Sequence, residues 1–222
     1  MSALQNDAQP EFAYLGSVGA MTFDPLAPSE SESQAKITTR KMRSDLHHLT
    51  ITATKKQKLA EVMPALPKPG ECYHVVSNGD FDYWTWIPVL AGYMGHVDEF
   101  YGSTWTVNRR NVIGLLAMLD DGIIGAASFV SGLYFKRRES SVYATLVQGL
   151  ATRGQRFCCL ENHAKVTLLA NAASGDFIVM EGSANYTANP RIEQNIVAND
   201  RDLYEFHRAW LEEVLSHGGE ED

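Results

Sequence analysis

The chain has 222 residues, 45% of them hydrophobic and 21% charged, an ordinary globular balance that excludes wholesale disorder and allows one well-filled core with an appendage. A formal net charge of −8 excludes a protein that coats nucleic acid indiscriminately, although Lys36, Arg40, Lys41, Arg43, Lys55, Lys56 and Lys58 crowd one stretch against a single acid, Asp45. Cys72, Cys158 and Cys159 offer neither a disulfide framework nor a zinc-ligand spacing and read as buried thiols of a reducing compartment.

Residues 1–70 carry Pro10, Pro25, Pro28, Pro64, Pro67 and Pro69 and the Ser29–Ser33 run of alternating Ser and Glu, and read as an arm or linker with a helix over 35–49. Its basic segment, 36–58, has two open readings, a solvated face and a nucleic-acid-binding arm. The start of the chain lacks a basic stretch followed by an apolar one, so no signal peptide is expected. The longest apolar run, Val112–Phe135, is broken by Asp120, Asp121 and glycines and is not expected to span a membrane. A soluble, cytoplasmic protein is the expectation.

From Glu71 strands alternate with helices. Cys72–Val76 reads as a strand, Asp80 as the cap of a helix over Tyr83–Met94, Val97–Val107 as a strand, and Asn108 as the cap of a helix over Val112–Leu119. A third strand is expected over Ile123–Phe135, a helix over Glu139–Thr152 ending at Gly154, and a strand over Arg156–Leu160. Val166–Ala170 and Phe177–Met180 flank a turn of Asn, Ala, Ser, Gly and Asp and form a hairpin, with a last strand over Ile196–Ala198. Asp202–Leu215 is amphipathic, with Leu203, Phe206, Trp210, Leu211 and Val214 on one side, and 217–222 form an acidic tail. This alternation predicts an α/β domain over 71–216 in which helices cover a mixed sheet.

The hairpin carries polar residues at both of its free ends. His163 and Lys165, two apart and expected on one strand face, would lie near the turn Gly182-Ser183-Ala184-Asn185, forming an anion pocket. Arg109 and Arg110 follow the second main strand, and Lys136, Arg137 and Arg138 follow the third. Ligands of open α/β sheets bind at those carboxyl ends, so these residues are candidates for holding a polyanion; helix-flanking surface charge is the other reading. Tyr83, Trp84 and Trp86 can stack on bases or fill the core beneath their helix, and core packing is the expectation.

In order, His163-x-Lys165, Gly182-Ser183-Ala184-Asn185 and Glu193 resemble the HxK…GSxN signature of the phospholipase D superfamily, across about residues 71–215. The resemblance is closest to the short members with one motif copy per chain, which include bacterial endonucleases. It implies a phospholipase D-like αβα sandwich. It also implies a phosphodiesterase that needs no metal or other cofactor, with DNA the expected substrate. In that scheme His163 attacks phosphorus and becomes a phosphohistidine, Lys165, Ser183 and Asn185 stabilise the phosphoryl oxygens, and Glu193 accepts the second ring N–H of His163. One histidine cannot be nucleophile and general acid in the same step, so the resemblance implies a homodimer whose two HxK motifs face each other across a two-fold axis, with nucleic acid as partner and no membrane. The family pattern HxKxxxxD departs here at Ala170, where Asp176 across the turn is a candidate substitute. A catalytically inactive binding or assembly module is the alternative this departure leaves open.

Overall fold

The computed structural model describes residues 45–188 and 191–217. Residues 35–44 of the expected first helix, the basic residues Lys36, Arg40, Lys41 and Arg43, and the acidic Glu220–Asp222 lie outside these. The first described helix, α1 (Asp45–Val62), covers 45–49 of the expected helix, runs on to Val62 and delivers Leu59, with Met63 just beyond its end, fully buried into the core.

Seven strands form one mixed sheet in the order β1 (Cys72–Asn78), β7 (Ile192–Asn199), β6 (Asp176–Gly182), β5 (Val166–Asn171), β2 (Val97–Thr104), β3 (Ile124–Gly132), β4 (Arg156–Leu160). Strands β2, β3 and β4 run parallel, and every other pairing is antiparallel. Parallel neighbours need crossovers: α3 (Arg109–Asp120) joins β2 to β3, and α4 (Leu133–Arg138) with α5 (Ser140–Ala151) joins β3 to β4. Strand β5 lies between β2 and β6 with all six residues buried, which is why its sequence is apolar on both faces.

Helix α2 (Tyr83–Met94) packs on α1 over the larger core, which holds Tyr83, Trp84, Trp86, Phe100, Phe129 and Tyr186. Tyr83, Trp84 and Trp86 therefore fill the core, as their helix requires. The cap of α2 is Asp82, not Asp80: its carboxylate accepts from the Thr85 backbone N at 3.0 Å and the Thr85 hydroxyl at 2.9 Å. Asp80 instead pairs with Lys58 of α1. Asn108 caps α3 as expected, accepting from Asn111 N at 2.9 Å.

Two further expectations, on the third strand and on Cys72, fail for identifiable reasons. The apolar run to Phe135 is not one strand, because β3 stops at Gly132 and α4 follows. A Cβ at Gly132 would sit 2.7 Å from Trp105 Cδ1 and 2.8 Å from the Asn162 carbonyl oxygen, so the chain passes there only as glycine before turning. Cys72 is exposed rather than buried, because β1 is an edge strand; Cys158 is buried and all three thiols are free. Among the described residues no helix is long and apolar enough to cross a membrane.

The opposite sheet face carries a second core of Tyr101, Val130, Val166, Leu168, Ala170 and Val179, covered by α6 (Arg201–His217) through Tyr204 and Leu211. Leu211 is buried there and Leu203, Trp210 and Val214 pack beside it as expected, whereas Phe206 is 65% exposed; Tyr204, His207 and Leu211, spaced three and four apart, form the buried stripe. Arg156 grips Glu212 through both Nη atoms at 2.6 Å, and the Tyr101 hydroxyl donates to the same carboxylate. The bond from Arg156, and then that from Tyr101, hold the Glu212 carboxyl down to about 2. A depressed acid stabilises the fold above its unfolded value and loses that contribution as pH falls through the folded one. Because the pair is partly exposed, Glu212→Gln should cost about 1 kcal/mol or less at pH 7. In urea unfolding the wild type should lose that advantage over the variant between about pH 4.5 and pH 2.

Candidate active site

One edge of the sheet collects the carboxyl ends of β1, β2, β3, β4 and β6 and the amino ends of β5 and β7, since Ser103 pairs with Val166, Val166 with Glu181, Gly182 with Asn195 and Ser77 with Glu193. His163, Lys165, Ser183, Asn185 and Glu193 lie at or beside this edge. His163 and Lys165 are not on a strand: they sit in the segment between β4 and β5. Asn162 holds that segment off the ladder, donating from Nδ2 to Ser103 Oγ at 3.0 Å and Thr104 O at 3.3 Å while its Oδ1 accepts from Ala164 N at 2.9 Å. Ser103 Oγ completes the clamp by donating to Ala164 O at 3.2 Å.

Within this clamp Lys165 folds back on His163. Its Nζ donates to the His163 carbonyl oxygen at 2.6 Å and lies 3.0 Å from Nδ1 and 3.3 Å from Nε2 of the ring. Desolvation lowers the ammonium's pKa from its usual value, opposed in part by the negative charge of Glu193. His163 itself is exposed.

The Gly182–Asn185 turn reaches the same place. Gly182 N donates to Lys165 O at 3.4 Å, and a Cβ on Gly182 would overlap Asn195 Oδ1 and come within 2.8 Å of Gln194 O, so this close approach of β6 to β7 demands glycine. Ser183 donates its hydroxyl proton to Glu193 and accepts from Gln194 N at 3.2 Å. Asn185 Oδ1 accepts from Thr104 Oγ1 at 3.3 Å, leaving Nδ2 as the donor end of the amide, with no partner among the described residues. Next in the chain, Tyr186 is fully buried. Its carbonyl accepts from Asn108 N at 3.1 Å and Asn111 Nδ2 at 2.9 Å, and its hydroxyl shares a hydrogen with Thr167. Burial pushes its phenol far above the usual range.

Ala170, at the acid position of the pattern, is 5% exposed on the α6 face of β5, in the second core with Tyr204. Asp176 does not substitute for an acid at the site. It pairs with Asn171 across the turn at the far end of the hairpin, where it accepts from Ser174 Oγ at 2.6 Å and Asn199 Nδ2 at 2.8 Å. Of the basic candidates, Arg110 lies 3.7 Å from Asp82, which Lys55 also meets at 2.9 Å, and Arg109 donates to Ser141 Oγ at 2.7 Å. Lys136, Arg137 and Arg138 form the last turn of α4, with Lys136 over the Tyr143 ring. Sequence reading missed Trp105, whose ring centroid is 5.4 Å from that of His163, and Tyr134, stacked on Trp105 at 4.1 Å.

Among solved structures the chain is similar to a phospholipase D family member, Nuc, from Salmonella typhimurium, at 16% identity over 67% of this chain and 97% of that one, with a TM-score of 0.49. It is similar to NucT from Helicobacter pylori at 12% identity over 66% and 97%, with a TM-score of 0.48. It is also similar to polyphosphate kinase from Porphyromonas gingivalis at 16% identity over 74% of this chain and 29% of that one, with a TM-score of 0.51. No family model and no curated protein sequence matches it. The likeness is one of fold alone, an α/β sandwich with a mixed sheet.

Two substitutions test how the site is held. Gly182→Ala should lower stability by about 1–3 kcal/mol through the overlap with Asn195, read as a shift in the denaturant midpoint. Ala170→Asp should destabilise by about 3 kcal/mol, because it buries an acid among apolar residues under α6.

Proposed function

We propose that this chain is a metal-independent phosphodiesterase of the phospholipase D-like class, a nuclease whose substrate is DNA. The observation that carries the reading is the Lys165 ammonium folded onto the exposed His163 imidazole, with Ser183, Asn185 and Glu193 brought to the same edge by β6 and β7.

Neutral imidazole attacks phosphorus, the N–P bond forms as the bond to the leaving oxygen breaks, and Lys165 and Asn185 Nδ2 donate to the non-bridging oxygens as charge grows on them. Glu193, whose charge already reaches Lys165, takes the second ring N–H of His163 and stabilises the cationic ring. Ser183 spends its proton on Glu193, so its first task is to orient that carboxylate. The leaving oxygen takes its proton from His163 of a second copy, and water then attacks the phosphohistidine with that same imidazole as base. Two copies related by a two-fold axis complete the site, and the exposed position of His163 leaves room for the second.

Ala170 bears on the alternative, an inactive binding or assembly module. The position lies in the core under α6, toward the turn end of β5, and an alanine there leaves the His163–Lys165 geometry in place. The enzyme reading is therefore preferred.

The test is incubation of the purified full chain with plasmid and with single-stranded DNA in excess EDTA, beside His163→Asn. Wild type should cleave and the variant should lose at least about a thousandfold in rate, with Ser183→Ala losing less. Binding by both proteins with cleavage by neither would favour the module. Sedimentation at micromolar concentration should give a two-copy mass; a strictly single-copy mass would overturn the shared site.

A further inference from the structure

We propose that Trp105 and Tyr134 form a stacking subsite for one unpaired nucleobase beside the phosphate held at His163, so that the preferred substrate is single-stranded nucleic acid. This rests on the phosphodiesterase reading for the phosphate, and on ring geometry for the base.

The two rings are stacked at 4.1 Å between centroids and 20° between planes, and Trp105 lies 5.4 Å from the His163 ring at 55°. They come from different elements: Trp105 follows β2, and Tyr134 is the second residue of α4. The large aromatic residues of α2 go into the core, Trp86 fully and Tyr83 at 1% exposed, whereas Tyr134 keeps 41% of its surface in solvent. An exposed aromatic stacked on a second one, rather than turned inward, presents a flat apolar face at the mouth of the candidate site.

The backbone is shaped for that arrangement. A side chain at Gly132 would strike Trp105 Cδ1 at 2.7 Å and the Asn162 carbonyl oxygen at 2.8 Å, so its absence lets the indole lie against the segment that carries His163. Arg137 and Arg138, both exposed, stand on the last turn of the same short helix as Tyr134, where neighbouring phosphates of a strand threading past Tyr134 would run.

Strand pairing decides which nucleic acid can use such a platform. Inside a duplex both faces of each base are covered by its neighbours, and a side-chain ring reaches a face only after a base is unstacked. In a single strand the face is available, and stacking discriminates little among bases because each has one. The subsite therefore selects strandedness and not sequence.

The experiment uses the full chain carrying His163→Asn, which binds without turnover, and titrates an oligothymidylate, the same oligonucleotide with one abasic position, and a blunt duplex. Adding Tyr134→Ala at this exposed position should weaken single-strand binding by about tenfold, the equivalent of a stacked base, leave duplex binding unchanged, and be rescued by Tyr134→Phe. Equal single-strand affinity with and without the Tyr134 ring, equal loss for duplex and single strand, or no binding of any oligonucleotide would each overturn the subsite. Wild-type cleavage is followed in parallel. Ring-dependent binding without cleavage would sink the phosphodiesterase reading and leave the subsite standing; cleavage indifferent to Tyr134 and to strandedness would do the reverse.

Discussion

Tyr186 has no exposed surface, and each of its polar groups is engaged: the carbonyl with Asn108 and Asn111, the amide with Thr104 Oγ1 at 3.4 Å, the hydroxyl with Thr167. Its ring stacks on Tyr83 at 5.2 Å and meets Trp84 and Phe129 edge-on. A buried aromatic with satisfied polar ends leaves the chain on either side of it little freedom. The residue just before it is Asn185, so the Gly182–Asn185 turn is fixed between a glycine that admits no side chain and a tyrosine locked into the core. Thr104, at the end of β2, serves both Asn185 and Tyr186, which ties the turn to the strand that also anchors Asn162 and the His163 segment.

The edge that results is electrostatically mixed rather than simply basic. Asp82 is buried at the start of α2 and gathers Lys55 from α1 and Arg110 from α3, so two of the cations at this edge are committed to a carboxylate. Lys165 differs from them in its partners: it lies close to the imidazole and within reach of Glu193. Charge held by a buried carboxylate organises structure, whereas the Lys165 ammonium lies beside an exposed imidazole. That difference in partners separates Lys165 from Lys55 and Arg110, and composition alone does not reveal it.

Much of the architecture was legible because its signals are local. Helix α2 and strand β4 fall where periodicity and capping put them, and the β5–β6 hairpin follows from two apolar runs around a Gly-Asp turn. What failed depended on tertiary contact. The stop of β3 at Gly132 is dictated by Trp105 and Asn162, which are far away in sequence; Phe206 looked like a core residue by spacing, but the covered face is centred on Tyr204, His207 and Leu211 and leaves Phe206 outside. At the site, the motif residues were readable as a pattern, while their supports were not. Asn162 is an ordinary loop residue in the sequence, Trp105 stands between a strand and a cap with no period to announce it, and Tyr134 was concealed inside an apparent strand.

The position of Ala170 shows why a motif and a site are different objects. In linear sequence it is five residues from Lys165, which suggests proximity. On β5 those residues run along the strand at about 3.3 Å each, and the side chain of Ala170 points to the face under α6, so an acid there would act through the packing of that helix and not on a phosphate. Two other acids already serve that side of the molecule: Glu99, which accepts from Tyr204 at 3.1 Å, and Glu212, gripped by Arg156. With the helix held by these, alanine packs under it at no electrostatic cost, and the residues that face the open edge keep their arrangement without the missing carboxylate.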